Sequence, residues 1–276
     1  MISRRAFLKG GVLLGSALMV DGFVLEPREF HLEEVTVRIR GLGQEFNGFT
    51  ICQVTDVHHS AFVSLDYLKR VVEKANSLKP DLTVLTGDYV DDRKEYVAPA
   101  IKALSGLKAR RGLLSILGNH DHYAGKSHTV GVINSHGIPL LENSHRVLES
   151  GKSALCVAGV KDYLEDFPDT KEALTGVDKE MPRILLAHHP DYAEGLPRDE
   201  RVDLVISGHT HGGQVRLPFS YAPVIPSSYG QKYSGGLVRL AGRQTQVYVS
   251  RGVGVVGIPV RLNCPPELTL IRLETA

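Results

Sequence analysis

Apolar residues in this chain fall into short β-branched runs separated by stretches of helical spacing. Val35 to Arg40 alternates apolar and polar positions, as a half-buried strand does, and Phe49 to Val54 reads as a buried strand ending at Thr55-Asp56. Ser64 is a candidate N-cap for a helix whose apolar positions Leu65, Leu68, Val71, Val72 and Ala75 share one face, and Pro80 stops it. Leu82 to Thr86 is the next strand, ending at Gly87-Asp88. A second helix covers roughly Val97 to Leu107, and Leu113 to Leu117 forms a third strand ending at Gly118-Asn119. Strand, helix, strand, helix, strand with short connections predicts parallel βαβαβ units in an α/β fold. In the second half, Ala154 to Val160, Ile184 to Ala187, Leu204 to Ser207, Leu237 to Leu240, Gln246 to Val249 and Leu268 to Leu273 read as strands with little helix between them. No repeat, low-complexity tract or linker follows residue 30, so residues 31–276 are expected to form one domain.

Composition narrows this little. Hydrophobic residues at 42% and charged residues at 23% are ordinary for a globular chain, and a net charge of +1 gives no electrostatic reason to expect nucleic acid. Three cysteines, Cys52, Cys156 and Cys264, are too few and too scattered for a disulfide framework. Cys52 and Cys156 sit in strand-like runs and are expected to be small buried hydrophobes.

The N-terminus stands apart. Ser3-Arg4-Arg5-Ala6-Phe7-Leu8-Lys9 precedes an apolar run from Gly10 to Val20, the order of a targeting segment. The arginine pair with Phe7-Leu8-Lys9 behind it resembles a twin-arginine export signal. Residues 1–30 are therefore expected to be an address and a weak anchor at most, because the run falls short of the ~20 residues that span a bilayer and Asp21 interrupts it. That resemblance implies the twin-arginine export machinery as a partner. It also implies a final place in the periplasm, at the outer face of the cytoplasmic membrane or at the cell wall.

Histidine changes the picture most. Twelve are present, and most lie in or beside a few short Gly- and Asp-containing loops. Several strands end, at their carboxyl ends, in a metal-capable residue: Asp56 and His58, Asp88, Asn119 and His120, His188, then His209 and His211. Ligands of open α/β sheets bind in the crevice outside those ends, so loops distant in sequence can converge there. Asp56-Val57-His58 places two donors on one side of an extended segment. Gly118-Asn119-His120-Asp121 lets the chain turn sharply and points an amide and an imidazole into the crevice. Gly208-His209-Thr210-His211-Gly212-Gly213 supplies two more imidazoles between glycines.

From about residue 48 to the C-terminus, this set of motifs resembles the calcineurin-like metallophosphoesterases. Gly208 to Gln214, Arg251-Gly252-Val253-Gly254 and Asn263-Cys264-Pro265-Pro266-Glu267 look like the branch of twin-arginine-exported or membrane-associated bacterial phosphodiesterases, whose relatives include hydrolases of UDP-2,3-diacylglucosamine. The resemblance implies a β-sandwich flanked by helices (α/β/β/α). It implies two divalent cations, with Asp56, His58 and His211 on one, Asn119, His188 and His209 on the other, and Asp88 bridging. A hydroxide between the ions would attack phosphorus in line, and His120 would assist the leaving group with Asp91 as its orienting partner. Mixed oxygen and imidazole donors suit Mn, Fe or Zn better than Ca or Mg. The expected substrate is a small-molecule or lipid phosphoester, most plainly a phosphodiester, with a UDP-2,3-diacylglucosamine-type pyrophosphatase as an alternative. A protein phosphatase fits less well, since Asp92 stands where that subgroup has arginine and Asp121 where it has glutamate. A non-catalytic metal-binding module should have lost ligands, and none is missing.

Other residues carry less. His59, His122 and His189 adjoin assigned positions, and neighbours on an extended segment should point away. His31, His128, His136 and His145 lie outside the motifs. Arg251 is a candidate phosphate contact, with an ordinary salt bridge as the competing role. Val253 to Val260 is apolar but broken by glycines and proline. It is expected either to form an exposed apolar rim with Phe62 and Val63, which would suit a membrane surface, or to pack beneath the last strand.

Overall fold

The computed structural model describes residue 16 and residues 19–276. The expected export signal at residues 3–9, and most of the apolar run behind it, lie outside the described residues.

Eleven strands form two sheets. The first has the order β1 (His31–Ile39), β11 (Glu267–Thr275), β2 (Thr50–Val54), β3 (Leu82–Thr86), β4 (Leu113–Ile116); the second has β5 (Ser144–Ser150), β6 (Ser153–Gly159), β7 (Arg183–Leu186), β8 (Leu204–Ser207), β10 (Gln246–Val249), β9 (Gly236–Arg239). Strands β2, β3 and β4 run parallel in one sheet, and β6, β7, β8 and β10 in the other. Parallel strands must be joined by crossovers, and the helices Leu65–Ser77 and Val97–Leu104 supply them for the first sheet. The Ser64 hydroxyl accepts the Tyr67 N–H at 3.2 Å, so the expected N-cap is realised.

Side-chain alternation decides the layers. Ile51, Leu82, Val84, Leu114 and Ile116 of the first sheet face Leu155, Val157, Ile184, Leu186, Leu204 and Ile206 of the second in one apolar core. The opposite face of the first sheet offers Cys52, Val54 and Leu85 to Leu68, Val71, Ile101 and Leu104 of the two helices. Behind the second sheet, Cys156, Leu185, Val205 and Val247 pack on Ala173, Leu174, Ala193 and Leu196 from short helical turns. This is the expected helix–sheet–sheet–helix sandwich, with a thin outer layer on the second side. All three cysteines are free and buried.

Two elements depart from the sequence reading. Strand β5 was not foreseen, because Ser144–Ser150 is half exposed at an edge and lacks a continuous apolar run. The helix Lys126–Ser135 was also missed, since its residues show little one-sided apolar character. Residues 21–28, expected to belong to the N-terminal address, pack against the domain. Gly22 is buried, its carbonyl accepts the Arg261 N–H, and the Glu26 carboxylate accepts the N–H groups of Asn263 and Cys264. Among the described residues no helix is long and apolar enough to cross a membrane.

Candidate metal centre

The carboxyl ends of the two parallel strand sets meet at one edge of the sandwich, stitched by backbone and side-chain hydrogen bonds. The Asp56 N–H donates to Gly87 O at 3.0 Å and the His58 N–H to Asp88 O at 3.1 Å, joining the loops after β2 and β3. Gln53 Nε2 crosses from the first sheet to Ser207 O of the second at 3.0 Å, and the Gly208 N–H reaches His188 O at 3.0 Å.

Five of the seven expected ligands, Asp56, His58, Asp88, His209 and His211, have left-handed backbone, with φ between 46° and 68°. Side chains other than glycine rarely adopt that conformation, and clustered strain of this kind is typical of functional sites. Close approach requires glycine beside them. A Cβ on Gly208 would lie 2.0 Å from Asp56 Oδ2, and one on Gly118 would lie 2.3 Å from Asp88 Oδ1.

Asp88 sits at the centre. Its Oδ2 is 3.1 Å from His188 Nε2 and 3.5 Å from His58 Nε2, while its Oδ1 accepts the His120 N–H at 2.9 Å. On one side, His58 Nε2 lies 3.0 Å from His211 Nε2, which is 3.3 Å from Asp56 Oδ1. On the other side, the His188 and His209 rings meet edge to face at 5.3 Å. Asp56, His58 and His211 offer atoms all within 4.8 Å of one another, and so do Asp56, Asp88 and His188. His188 Nδ1 points at the Thr86 carbonyl at 2.7 Å, so Nδ1 carries the proton and Nε2 is turned toward Asp88.

The donor set fits cations. Asn119 Oδ1 is buried without a hydrogen-bond partner, which protein interiors rarely tolerate. Burial pushes His58 down to about 3 and His209 and His211 well below the usual imidazole range, leaving neutral rings that can donate lone pairs. Burial, with His188 working against it, raises Asp56 to about 6. Burial opposes ionisation of both Asp88 and His188, yet each stabilises the other's charge: Asp88 stays well below the carboxylate range and His188 rises to about 10. A proton is thus held between them where a cation would sit.

The remaining candidates divide. His120 lies beside the cluster, its ring 4.7 Å from that of His58, and Asp91, the expected orienting residue, lies next to it. The contact to His120 Nδ1, however, is made by the Asp91 main-chain carbonyl at 2.5 Å, with Oδ1 further off at 3.5 Å. Arg251 takes the competing salt-bridge role: its Nη2 lies 2.6 Å from Glu33 and its Nε 3.0 Å from Glu267. His189 also departs from expectation. Instead of pointing away it stacks on His209 with ring centroids 3.6 Å apart, its Nε2 3.3 Å from the buried Asp162, because the chain turns into a helical bend at Pro190 and the alternation of an extended segment ends there. His59 is a bystander, turned to Val63 O at 2.7 Å, and His145 is tied locally to Ala173 O.

Two residues were missed. Asp121 accepts N–H groups from Gly118, Asp88 and Tyr89 at 2.8–2.9 Å and so locks the β3 loop to the β4 loop. An acid three residues after a strand-ending glycine is a helix-start signal that could have revealed it. Arg261 is fully buried and donates to the carbonyls of Arg251, Gly252, Gly254 and Cys264 under the His211 turn. Nothing in its Pro-flanked sequence distinguishes it from a surface arginine.

Comparison with known proteins agrees with this geometry. The chain is 36% identical over 285 residues to the uncharacterized metallophosphoesterase YkuE of Bacillus subtilis, covering 99% of this chain and 98% of that one. It is 33% identical over 282 residues to the phosphodiesterase YaeI of Escherichia coli, with 99% and 100% covered. It is 28% identical over 302 residues to the UDP-2,3-diacylglucosamine pyrophosphatase LpxG of Chlamydia trachomatis, with 90% of each covered. The family model described as calcineurin-like phosphoesterase matches residues 49–213, from the start of β2 through the Gly208–Gly213 turn. A match that runs from the first donor loop to the last makes the protein a member of the calcineurin-like phosphoesterases, and so a metal-dependent hydrolase of phosphoesters.

Proposed function

We propose that the protein is a dinuclear phosphodiesterase that works outside the cytoplasm. One observation carries the dinuclear reading: Asp88 Oδ2 lies within 3.5 Å of imidazole nitrogens from two separate donor groups, as a carboxylate shared by two cations must. Asp56, His58 and His211 would hold one cation, and Asn119, His188 and His209 the other. When bound, such a pair neutralises phosphoryl oxygens and lowers the pKa of water, the two requirements of attack on an anionic ester. Oxygen and imidazole donors together favour Mn, Fe or Zn.

The chain's own residues supply the rest. The Asp91 carbonyl holds the Nδ1 proton of His120, which leaves Nε2 as the atom that faces the leaving oxygen and exchanges a proton with it. The His120 main-chain N–H anchors Asp88 at 2.9 Å, so the proton-transfer group and the shared carboxylate keep a set distance. Asp121 fixes both loops from below. The phosphodiester preference follows the phosphodiesterase YaeI among the relatives, and the exported location rests on the Ser3–Lys9 pattern.

Metal analysis alongside bis-p-nitrophenyl phosphate hydrolysis tests this reading. Wild type should carry close to two transition-metal ions per chain. Asp88→Asn should lose both metal and activity. His120→Asn should keep its metal while turnover falls about 10²–10⁴-fold, the range for a general acid. Full activity in protein stripped of transition metal would end the proposal.

A further inference from the structure

The two ends of the sandwich differ in chemistry. Among the described residues, every exposed large apolar side chain except Leu237 lies either in residues 19–25 or on a segment following the carboxyl end of a parallel strand. Phe62 follows β2, Phe167 follows β6, Phe219, Tyr221 and Val224 follow β8, and Ile258 follows β10. These loops leave the sheets at the same carboxyl end as the metal-capable residues, which follow β2, β3, β4, β7 and β8. At the opposite end, around the amino ends of β8 and β10, a cleft of about 640 Å³ is lined by Arg40, Glu180, Arg198, Glu200, Arg201 and Arg243.

The apolar tips are built to protrude. Phe219 is fully exposed at 103%, and it and Ser220 both hold left-handed backbone, with φ of 66° and 60°. A phenylalanine held in an unfavourable conformation with no packing partner points to a use outside the folded chain. The tips stand on four separate segments with polar chain between them. A rigid protein partner needs a continuous complementary surface, whereas a fluid bilayer interface accepts isolated aromatic and aliphatic tips.

The course of the N-terminus selects the same occupant. Arg4, Arg5 and Lys9 precede the apolar run Gly10 to Val20, a basic and apolar order suited to an anionic lipid surface. The chain then enters the fold at this end: Phe23 and Pro27 line a cleft of about 520 Å³ together with Phe62, Val255 and Pro259. Part of the expected apolar loop is thereby accounted for. Val253 and Val255 are core residues, while Ile258 is exposed at 65%.

We propose that the metal-bearing end of the molecule is a membrane-docking face, whose tips Phe62, Phe167, Phe219 and Ile258 insert into the bilayer interface and bring the centre to phosphoesters of lipid headgroups. The substrate part rests on the phosphodiesterase reading; the docking itself does not. The chain contains no tryptophan, so single reporters are clean. Full-length Phe219→Trp and Phe167→Trp proteins, mixed with phosphatidylglycerol–phosphatidylethanolamine vesicles, should show blue-shifted emission that brominated acyl chains quench, while Arg243→Trp at the opposite end should not respond. Phe62→Ser/Phe167→Ser/Phe219→Ser/Ile258→Ser should weaken vesicle partitioning at least about tenfold, the loss expected from removing several buried apolar side chains, and leave bis-p-nitrophenyl phosphate hydrolysis unchanged. Reporters at Phe219 and Phe167 that stay silent on bound protein would overturn the proposal. Undiminished partitioning of the quadruple variant, or rim-dependent self-association without vesicles, would overturn it equally. The soluble-diester assay tests the phosphodiesterase reading separately.

Discussion

Asp56 and His188 show how strongly the site depends on its own burial. Both must lose a proton to become ligands, and in the metal-free protein Asp56 titrates at about 6 and His188 at about 10. Protons therefore compete with the cation, and lowering the pH weakens binding. Between pH 6 and 10 the site that uses His188 should release that one proton on filling, so its apparent Kd for Mn²⁺ should tighten by about tenfold per pH unit; the site that uses Asp56 should show such a slope only below pH 6. Calorimetry in buffers of different ionisation enthalpy reads the released protons directly. A pH-independent Kd would show that the Asp88–His188 proton is not at the cation position. The residue types of this site were legible in the sequence, since every expected ligand ended a strand. Their protonation was not, because it depends on which side chains the fold places within 3–4 Å of each other.

Between residues and fold stand the loops after β2, β3, β4, β7 and β8, and their shape depends on glycines as much as on ligands. Gly208 has no left-handed φ; it is required because Asp56 occupies the space a Cβ would fill, 2.0 Å away. Gly208→Ala should displace Asp56 and cost about 1–3 kcal/mol, as overpacking of a buried site does, with lower metal occupancy. Gly131 provides the contrast, since it lies in the helix Lys126–Ser135 with nothing within 4 Å of its Cβ position. Gly131→Ala should raise stability by about 0.5–1 kcal/mol through its better helix propensity. Denaturant melts with metal analysis check both, and equal effects from the two substitutions would refute the close-contact account. Strand ends were readable from apolar runs. The helix Lys126–Ser135 and edge strand β5 were not, because neither has a one-sided apolar pattern and both are held by neighbours.

For the whole molecule, the N-terminus and the sandwich act as one design if the protein is exported folded. Arg4→Lys/Arg5→Lys should block transport through the twin-arginine route, since lysine lacks the planar guanidinium of the recognised pair. The variant should accumulate in the cytoplasm, folded and metal-loaded. Fractionation with immunoblotting measures this, and unchanged delivery across the membrane would remove the export reading while leaving the metal centre untouched. Glu26, whose carboxylate caps Asn263 and Cys264, ties the N-terminal segment to the loop under the His211 turn. Residues 21–28, which the sequence reading assigned to the address, are thus packed onto the domain.

The parallel strand units and the metal-capable residues at the strand ends were legible in the chain, because apolar periodicity and strand-ending Asp, Asn and His are local signals that need no partner to be read; the sandwich came from the family resemblance. Roles that depend on distance came from the fold. It placed Asp88 between two imidazole groups, turned His189 onto His209, and gave the Asp91 contact to the main chain rather than the carboxylate. It tied Arg251 to Glu33 and Glu267, whose positions on β1 and β11 become neighbours only when strands 218 and 16 residues away in sequence are brought to the same edge. It also buried Arg261 beneath the site, where only main-chain carbonyls from a folded loop could satisfy it. A main-chain carbonyl beside an imidazole, a buried arginine held by backbone acceptors and an exposed tip have no residue-type signature, so packing alone could reveal them.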